Sequence, residues 1–163
     1  NRKYDKDGLI ASAGTTDKLV LNQALENFTE SSNYQNSLDT KDFDIFFAKG
    51  LSLENGASTI TDFTAKLIAN GMNYTNRIYQ SETCKWLVCG GGRKNKYLLE
   101  SIKNNFKKIS IEPIDEYEID GDYVESQAFA YLAIRSLLKL PISFPKTTRC
   151  KKPSTGGVLI KNF

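Results

Sequence analysis

The 163 residues predict an α/β fold, a short sheet flanked by helices, and three observations carry the prediction. Residues 84–106, Cys84-Lys-Trp-Leu-Val-Cys-Gly-Gly-Gly-Arg-Lys-Asn-Lys-Tyr-Leu-Leu-Glu-Ser-Ile-Lys-Asn-Asn-Phe106, pass from a short apolar strand through three glycines directly into an amphipathic helix. A second strand-like stretch, Ile109 to Glu112, closes a β-α-β step, a unit that is normally parallel and right-handed. Upstream, Ile60, Phe63, Thr64, Leu67 and Ile68 recur at the i, i+3, i+4 spacing of a helix that lies on such a sheet.

The chain opens on Asn1-Arg-Lys-Tyr-Asp-Lys-Asp-Gly8, a charged connector already in progress, so the sequence reads as a fragment. Thr16 or Asp17 is placed to cap a helix carrying Leu19, Leu21, Leu25 and Phe28, and Thr29 to Ser37 follows as a polar loop. In the aromatic stretch Asp39 to Lys49, filling core is the better reading of Phe43, Phe46 and Phe47 than stacking on a ligand. Ser52 is the N-cap of the next helix, which is expected to end near Gly71. The first strand is Trp86 to Cys89. Asn95 sits where an N-cap belongs, ahead of a helix face formed by Tyr97, Leu98, Ile102, Phe106 and Ile109. Beyond Pro113, the acids Asp115, Glu116, Glu118, Asp120 and Asp122 lack the spacing of a calcium loop and read as a solvated entry to a helix N-terminus. That helix, from about Gly121 to Leu138, is apolar nearly all round after Ala128, which predicts burial between other elements, and Pro141 and Pro145 end it. Lys146 to Ser154 is a basic loop, and Thr155 to Ile160 closes as a short strand. No internal repeat or low-complexity segment interrupts this order.

Composition narrows the function classes. Hydrophobic residues make up 40% and aromatics 11%, enough for one sizeable core in one domain or lobe. The net charge of +3 comes from 22 basic and 19 acidic residues spread along the chain, far from the basic stripe of a nucleic-acid binder. No stretch approaches the ~18 apolar residues of a membrane span, and no signal-peptide pattern opens the chain, so the cytoplasm is the expected compartment. Cys84, Cys89 and Cys150 form no C-x-x-C pair and suggest neither a disulfide framework nor structural zinc. The absence of histidine excludes Ser-His-Asp and Cys-His catalysis from these residues. Any acid or base must be a carboxylate, lysine or tyrosine.

The candidate site starts at Gly90, Gly91 and Gly92. Glycines leave the backbone open to a ligand and allow positive φ, and the helix N-terminus behind them directs unpaired N–H groups and partial positive charge into the same space. The stretch lacks the lysine and hydroxyl of a P-loop and the spacing of a dinucleotide fingerprint, and a plain tight turn is the alternative. Glu125 is the one carboxylate that extends an apolar stripe, with Phe129 and Leu132. Compensation of the helix dipole explains it equally well.

Leu87-Val-Cys-Gly-Gly-Gly-Arg-Lys-Asn95 followed by Asp122-Tyr-Val-Glu-Ser-Gln-Ala-Phe-Ala-Tyr-Leu-Ala133 resembles the carboxy-terminal part of anhydro-N-acetylmuramic acid kinases. Tyr4-Asp-Lys-Asp-Gly8 with Ala11 and Gly14, Ser37-Leu-Asp39 with Asp42-Phe43, and Thr59-Ile-Thr-Asp-Phe-Thr-Ala65 are similar to that family in the same order, so the likeness spans the chain. Lys41 stands one place after the family's usual basic position, and Arg149 occupies a place often held by glycine.

The resemblance implies an actin-like, ribonuclease H-like ATPase lobe of the sugar kinase, actin and heat-shock ATPase superfamily. Residues 1–163 would be the later part of the second lobe of a two-lobed kinase, without the amino-terminal domain. It implies ATP and Mg2+ between the lobes and an amino sugar as substrate, with no nucleic acid or membrane partner, and leaves a homodimer open. The implied reaction opens the 1,6-anhydro ring of anhydro-N-acetylmuramic acid and phosphorylates O6 in cell-wall recycling. Gly90, Gly91, Gly92 and Asn95 match the family's adenosine-binding motif, and Glu125 matches an acid near the sugar side of the cleft. The family's catalytic aspartate lies upstream of Asn1, so no catalytic residue and no metal ligand is assigned in this stretch. A non-catalytic nucleotide-binding domain and a non-catalytic interaction domain remain alternative classes.

Overall fold

In the computed structural model, which describes residues 4–28, 40–80 and 84–160, the first three helices begin at local side-chain acceptors. The Asp5 carboxylate accepts the backbone N–H groups of Ile10 (2.8 Å) and Ala11 (3.0 Å) and organises α1, Leu9–Ala13. Asp17 accepts from Leu19 and Val20 and begins α2, Lys18–Glu26, as the capping pattern predicts. Ser52 accepts from Asn55 at 3.2 Å and begins α3, Leu53–Ile78.

The long helix α3 is the centre of the molecule because two of its faces are buried. On one, Phe63 and Leu67 pack with Leu21 and Ala24 of α2, and Leu25, Phe28, Phe43 and Phe47 complete the cluster. Phe28 stacks on Phe43 with ring centroids 5.7 Å apart, and Phe47 lies 5.1 Å from Phe63. On the other, Ala65 and Met72 pack with Ile102 and Ile111, flanked by Trp86, Val88, Leu98, Phe106 and Ile109. That second cluster seats α3 on the sheet. The sheet pairs β1, Lys85–Val88, in parallel with β2, Ser110–Pro113, with Lys85 opposite Ser110 and Val88 opposite Pro113. Helix α4, Lys96–Lys103, connects the two strands. The predicted β-α-β step and α/β class are therefore present, with β1 starting one residue earlier than expected and β2 one residue later.

Three expectations are corrected here and a fourth, for the next helix, below. Helix α3 does not end near Gly71 but continues to Ile78. An interior glycine costs about 1 kcal/mol against alanine, whereas burying Met72 contributes about 1.5–3 kcal/mol, and Thr75 donates its hydroxyl to the Gly71 carbonyl. Leu19 is on its helix as expected and is 83% exposed, because two residues of helix turn it about 200° from buried Leu21. Phe46 is 75% exposed, since its neighbours Phe43 and Phe47 take the core side. Thr155 to Ile160 forms no strand: antiparallel pairing is limited to Ser143 with Ser154, and Gly157, at φ +88°, interrupts the extended run. Thr29 to Ser37, and the Ser37-Leu-Asp39 segment, lie outside the described residues.

The largest departure is α5, Val124–Leu137. It starts three residues later than predicted and none of its residues is buried; Phe129 is 64% exposed. An all-round apolar helix needs partners on every side, and both apolar clusters are completed by α2, α3, α4, the strands and their connecting loops without it. An open groove of about 720 Å³ separates α5 from the Thr155–Leu159 segment, where Ser136 donates a hydrogen bond to the Gly156 carbonyl. A short α6, Pro145–Thr148, follows. No described helix is long and apolar enough to cross a membrane.

Candidate nucleotide-binding site

The three glycines lie at the carboxyl end of β1. Gly90 has φ +78°, a left-handed value that glycine adopts without steric cost, and Gly91–Lys94 make one 3₁₀ turn before α4. The strand thus reaches the helix through this turn and not directly. Asn95 is the N-cap: its Oδ1 accepts the Leu98 N–H at 2.9 Å. Gly8 packs so closely that a Cβ there would stand 2.3 Å from Asn95 Oδ1, which places the Tyr4–Gly8 segment against the turn. A Cβ at Gly90 or Gly91 would meet no atom within 4 Å. The turn therefore has open space where the side chains of Gly90 and Gly91 would stand.

Behind the turn, α4 is held to α3 through polar contacts. Tyr97 OH and Ser58 Oγ are 2.7 Å apart, and Ser58 Oγ is 2.9 Å from Thr16 Oγ1. Asp62 accepts from Ser101 Oγ at 2.7 Å and from Thr16 Oγ1 at 2.5 Å. Ser58 and Thr59 are fully buried, so these hydroxyls need their partners. Thr59 meets that need by donating to the Asn55 carbonyl and accepting the Asp17 N–H.

On the other side, the turn is clamped to the acidic loop. Arg93, its side chain 7% exposed, donates from Nε to Asp115 Oδ2 at 2.6 Å and from the second guanidinium nitrogen to Asp115 Oδ1 at 2.9 Å. The remaining nitrogen donates to Asp122 Oδ1 (2.6 Å) and to the Gly90 carbonyl (3.0 Å), and Asp120 Oδ1 stands 3.8 Å from the nitrogen that binds Asp115 Oδ1. Lys94 also pairs with Asp122, at 2.5 Å. Gly121 makes this possible, since a Cβ there would lie 2.4 Å from Arg93 Nε, and its carbonyl accepts the Gly90 N–H at 2.9 Å. Hydrogen bonds from Arg93 first, and then from Lys94, hold the Asp122 carboxyl down at about 2. The bidentate Arg93 contact likewise holds Asp115 well below the usual carboxylate range, and both acids push the guanidinium further up. The acids read as a solvated loop therefore include two that neutralise a buried arginine. A separate group on the sheet joins Lys85, Glu112, Tyr117 and Ser110; hydrogen bonds from Ser110, Tyr117 and Lys85 hold Glu112 at about 2.

A family model described as anhydro-N-acetylmuramic acid kinase matches residues 1–162. The chain belongs to the anhydro-N-acetylmuramic acid kinase family. The anhydro-N-acetylmuramic acid kinase of Pelagibacter ubique is 51% identical over 163 residues, covering 99% of this chain and 44% of that protein. Proteins with the same name from Rhizorhabdus wittichii and Zymomonas mobilis are 41% and 37% identical, covering 95% and 94% of this chain and 41% of each relative. The chain thus spans less than half the length of these relatives.

The structure brings Gly90, Gly91, Gly92 and Asn95 together in one turn. Glu125 lies in the first turn of α5, three residues beyond the clamped Asp122, and is exposed. The buried stripe expected for it does not form, because Phe129 on the same face is exposed too. Sequence reasoning gave Arg93, Asp115, Asp122 and Gly121 no part in the candidate site. The available signal was an arginine directly after three glycines and a glycine between two aspartates downstream. Among the described residues no group of three or more potential ligands is placed to hold a metal ion, and the aspartates that gather do so around Arg93. These residues do not fit a magnesium site.

Proposed function

We propose that the full-length protein is an ATP-dependent kinase that hydrolyses the 1,6-anhydro ring of anhydro-N-acetylmuramic acid and phosphorylates O6, giving N-acetylmuramic acid 6-phosphate in peptidoglycan recycling. The observation that carries this reading is the family match across residues 1–162. The open glycine turn supports it, since two of its three glycines have free space where a side chain would stand. In this reading the chain is the later part of the second lobe of an actin-like, two-lobed enzyme. Gly90, Gly91, Gly92 and Asn95 receive the adenosine part of ATP, Glu125 faces the sugar side, and the aspartate that activates water lies upstream of Asn1. The work of this chain is positioning, which supplies much of the rate in phosphoryl transfer. A coupled ADP-release assay on the full-length protein tests the reading: ADP should form with the 1,6-anhydro amino sugar and not with ordinary hexoses. Equal turnover on glucose or N-acetylglucosamine would reject it.

A further inference from the structure

We infer that Arg93 is the positioning residue of the glycine turn, setting its nucleotide affinity through the Gly90 carbonyl and the carboxylates of Asp115 and Asp122. The inference rests on reading the turn as the nucleotide site. Gly90 is the only residue of the turn with a left-handed backbone, and both of its polar groups are held from the acidic loop's side: Arg93 binds its carbonyl at 3.0 Å and the Gly121 carbonyl takes its N–H at 2.9 Å. A Cβ at Gly90 or Gly91 would meet no atom within 4 Å, so no side chain packs over the face where one would stand. Beyond the backbone bonds of the turn itself, Arg93 N–H to the Gly90 carbonyl at 3.3 Å and Asn95 N–H to the Gly92 carbonyl at 3.0 Å, the two contacts from the Arg93 side chain and Gly121 fix where Gly90 presents its backbone. The clamp has an electrostatic role as well. Without Arg93, Asp115 would keep the Gly121 N–H at 3.4 Å but stand as an uncompensated charge beside the turn, and Asp122 would keep Lys94 as its cation. Arginine is required because one planar guanidinium reaches two carboxylates and a carbonyl in different directions, which an ammonium group cannot do.

A structural role alone would lower stability and all substrate affinities together, so the test separates the two. In the full-length protein, Arg93→Lys keeps the charge but loses the fork. It should weaken ATP binding by roughly tenfold or more, the order of loss that follows small misplacement of binding groups, while the KM for the anhydro sugar stays within about twofold. Arg93→Met combined with Asp115→Asn removes a buried charge and its main partner together, a change that is often close to neutral for stability, and leaves Asp122 paired with Lys94. That double variant should melt near the wild-type temperature and still bind ATP weakly. Wild-type ATP affinity in Arg93→Lys, wild-type affinity in a folded double variant, or equal losses for ATP and sugar would each overturn the inference. Should the double variant not fold, Arg93→Lys decides alone. Wild-type protein that binds ATP but leaves the anhydro sugar untouched removes the substrate assignment and not the role of Arg93. Wild-type protein that binds no ATP overturns both.

Discussion

At the residue scale, the glycine turn combines one position whose backbone favours glycine with one whose surroundings leave room for a side chain. Gly90 has φ +78°, so any side chain there is strained whatever surrounds it. Gly91 is outside the left-handed region, and its neighbourhood is empty to 4 Å. Gly91→Val should therefore leave the melting temperature of the full-length protein almost unchanged and raise the KM for ATP. Overpacking a site costs about 1–3 kcal/mol, or roughly five- to 150-fold in affinity. Unchanged ATP kinetics in a folded Gly91→Val protein would leave the glycines as a bare turn. Asn95 was readable in advance because its bond reaches only three residues, to the Leu98 N–H. Arg93 was not. Its carboxylate partners are 22 and 29 residues away, and nothing local distinguishes a clamp from a solvated arginine.

At the scale of elements, the same division between local and distant causes recurs. Asp17 and Ser52 cap α2 and α3 as the sequence indicates, because a cap is a contact within one turn. The end of α3 escaped prediction since Gly71 is outweighed by packing of Met72 on residues from α4 and β2. Helix α5 ends by a different device. The Leu140 N–H returns to the Arg135 carbonyl at 2.8 Å and the Lys139 N–H to the Ser136 carbonyl at 3.0 Å, the paired bonds of a Schellman motif. Lys139 occupies the left-handed position, at φ +57°, that glycine usually fills. A left-handed non-glycine residue costs roughly 1–2 kcal/mol, and glycine returns about 0.5–1 kcal/mol of that through the entropy of the unfolded chain. Lys139→Gly should accordingly stabilise the protein by about 0.5–1 kcal/mol, seen as a small rise in melting temperature. A lower melting temperature would show that the lysine's attraction to the helix C-terminus outweighs its strain.

At the scale of the whole molecule, the chain has two filled apolar clusters and one apolar helix, α5, that neither cluster uses. The sequence marked α5 as a helix to be buried, yet the described residues hold no surface that covers it, and the chain spans less than half the length of its relatives. Periodicity reports that a face wants burial; it carries no information on what buries it. Glu125 inherits this property, because it projects from the first turn of α5 beside the Arg93 clamp and no described contact accounts for it. Substituting Glu125→Gln in the full-length protein separates its two readings, since glutamine keeps the size and a carbonyl acceptor but removes the charge. A carboxylate that only complements the helix dipole would cost about 0.3–1 kcal/mol of stability on neutralisation and leave the kinetics alone. A carboxylate that binds a sugar hydroxyl away from water would lose a charge-assisted hydrogen bond of about 1.5–3 kcal/mol, roughly ten- to a hundredfold in kcat/KM for the anhydro sugar, with ATP affinity barely altered. We expect the second result, because the loop preceding α5 is tied to the glycine turn by Asp122 and Gly121, which brings the start of the helix next to the proposed nucleotide-binding turn. Steady-state kinetics on both substrates and a melt of the same sample decide it: wild-type kinetics with a lowered melting temperature would remove Glu125 from the site.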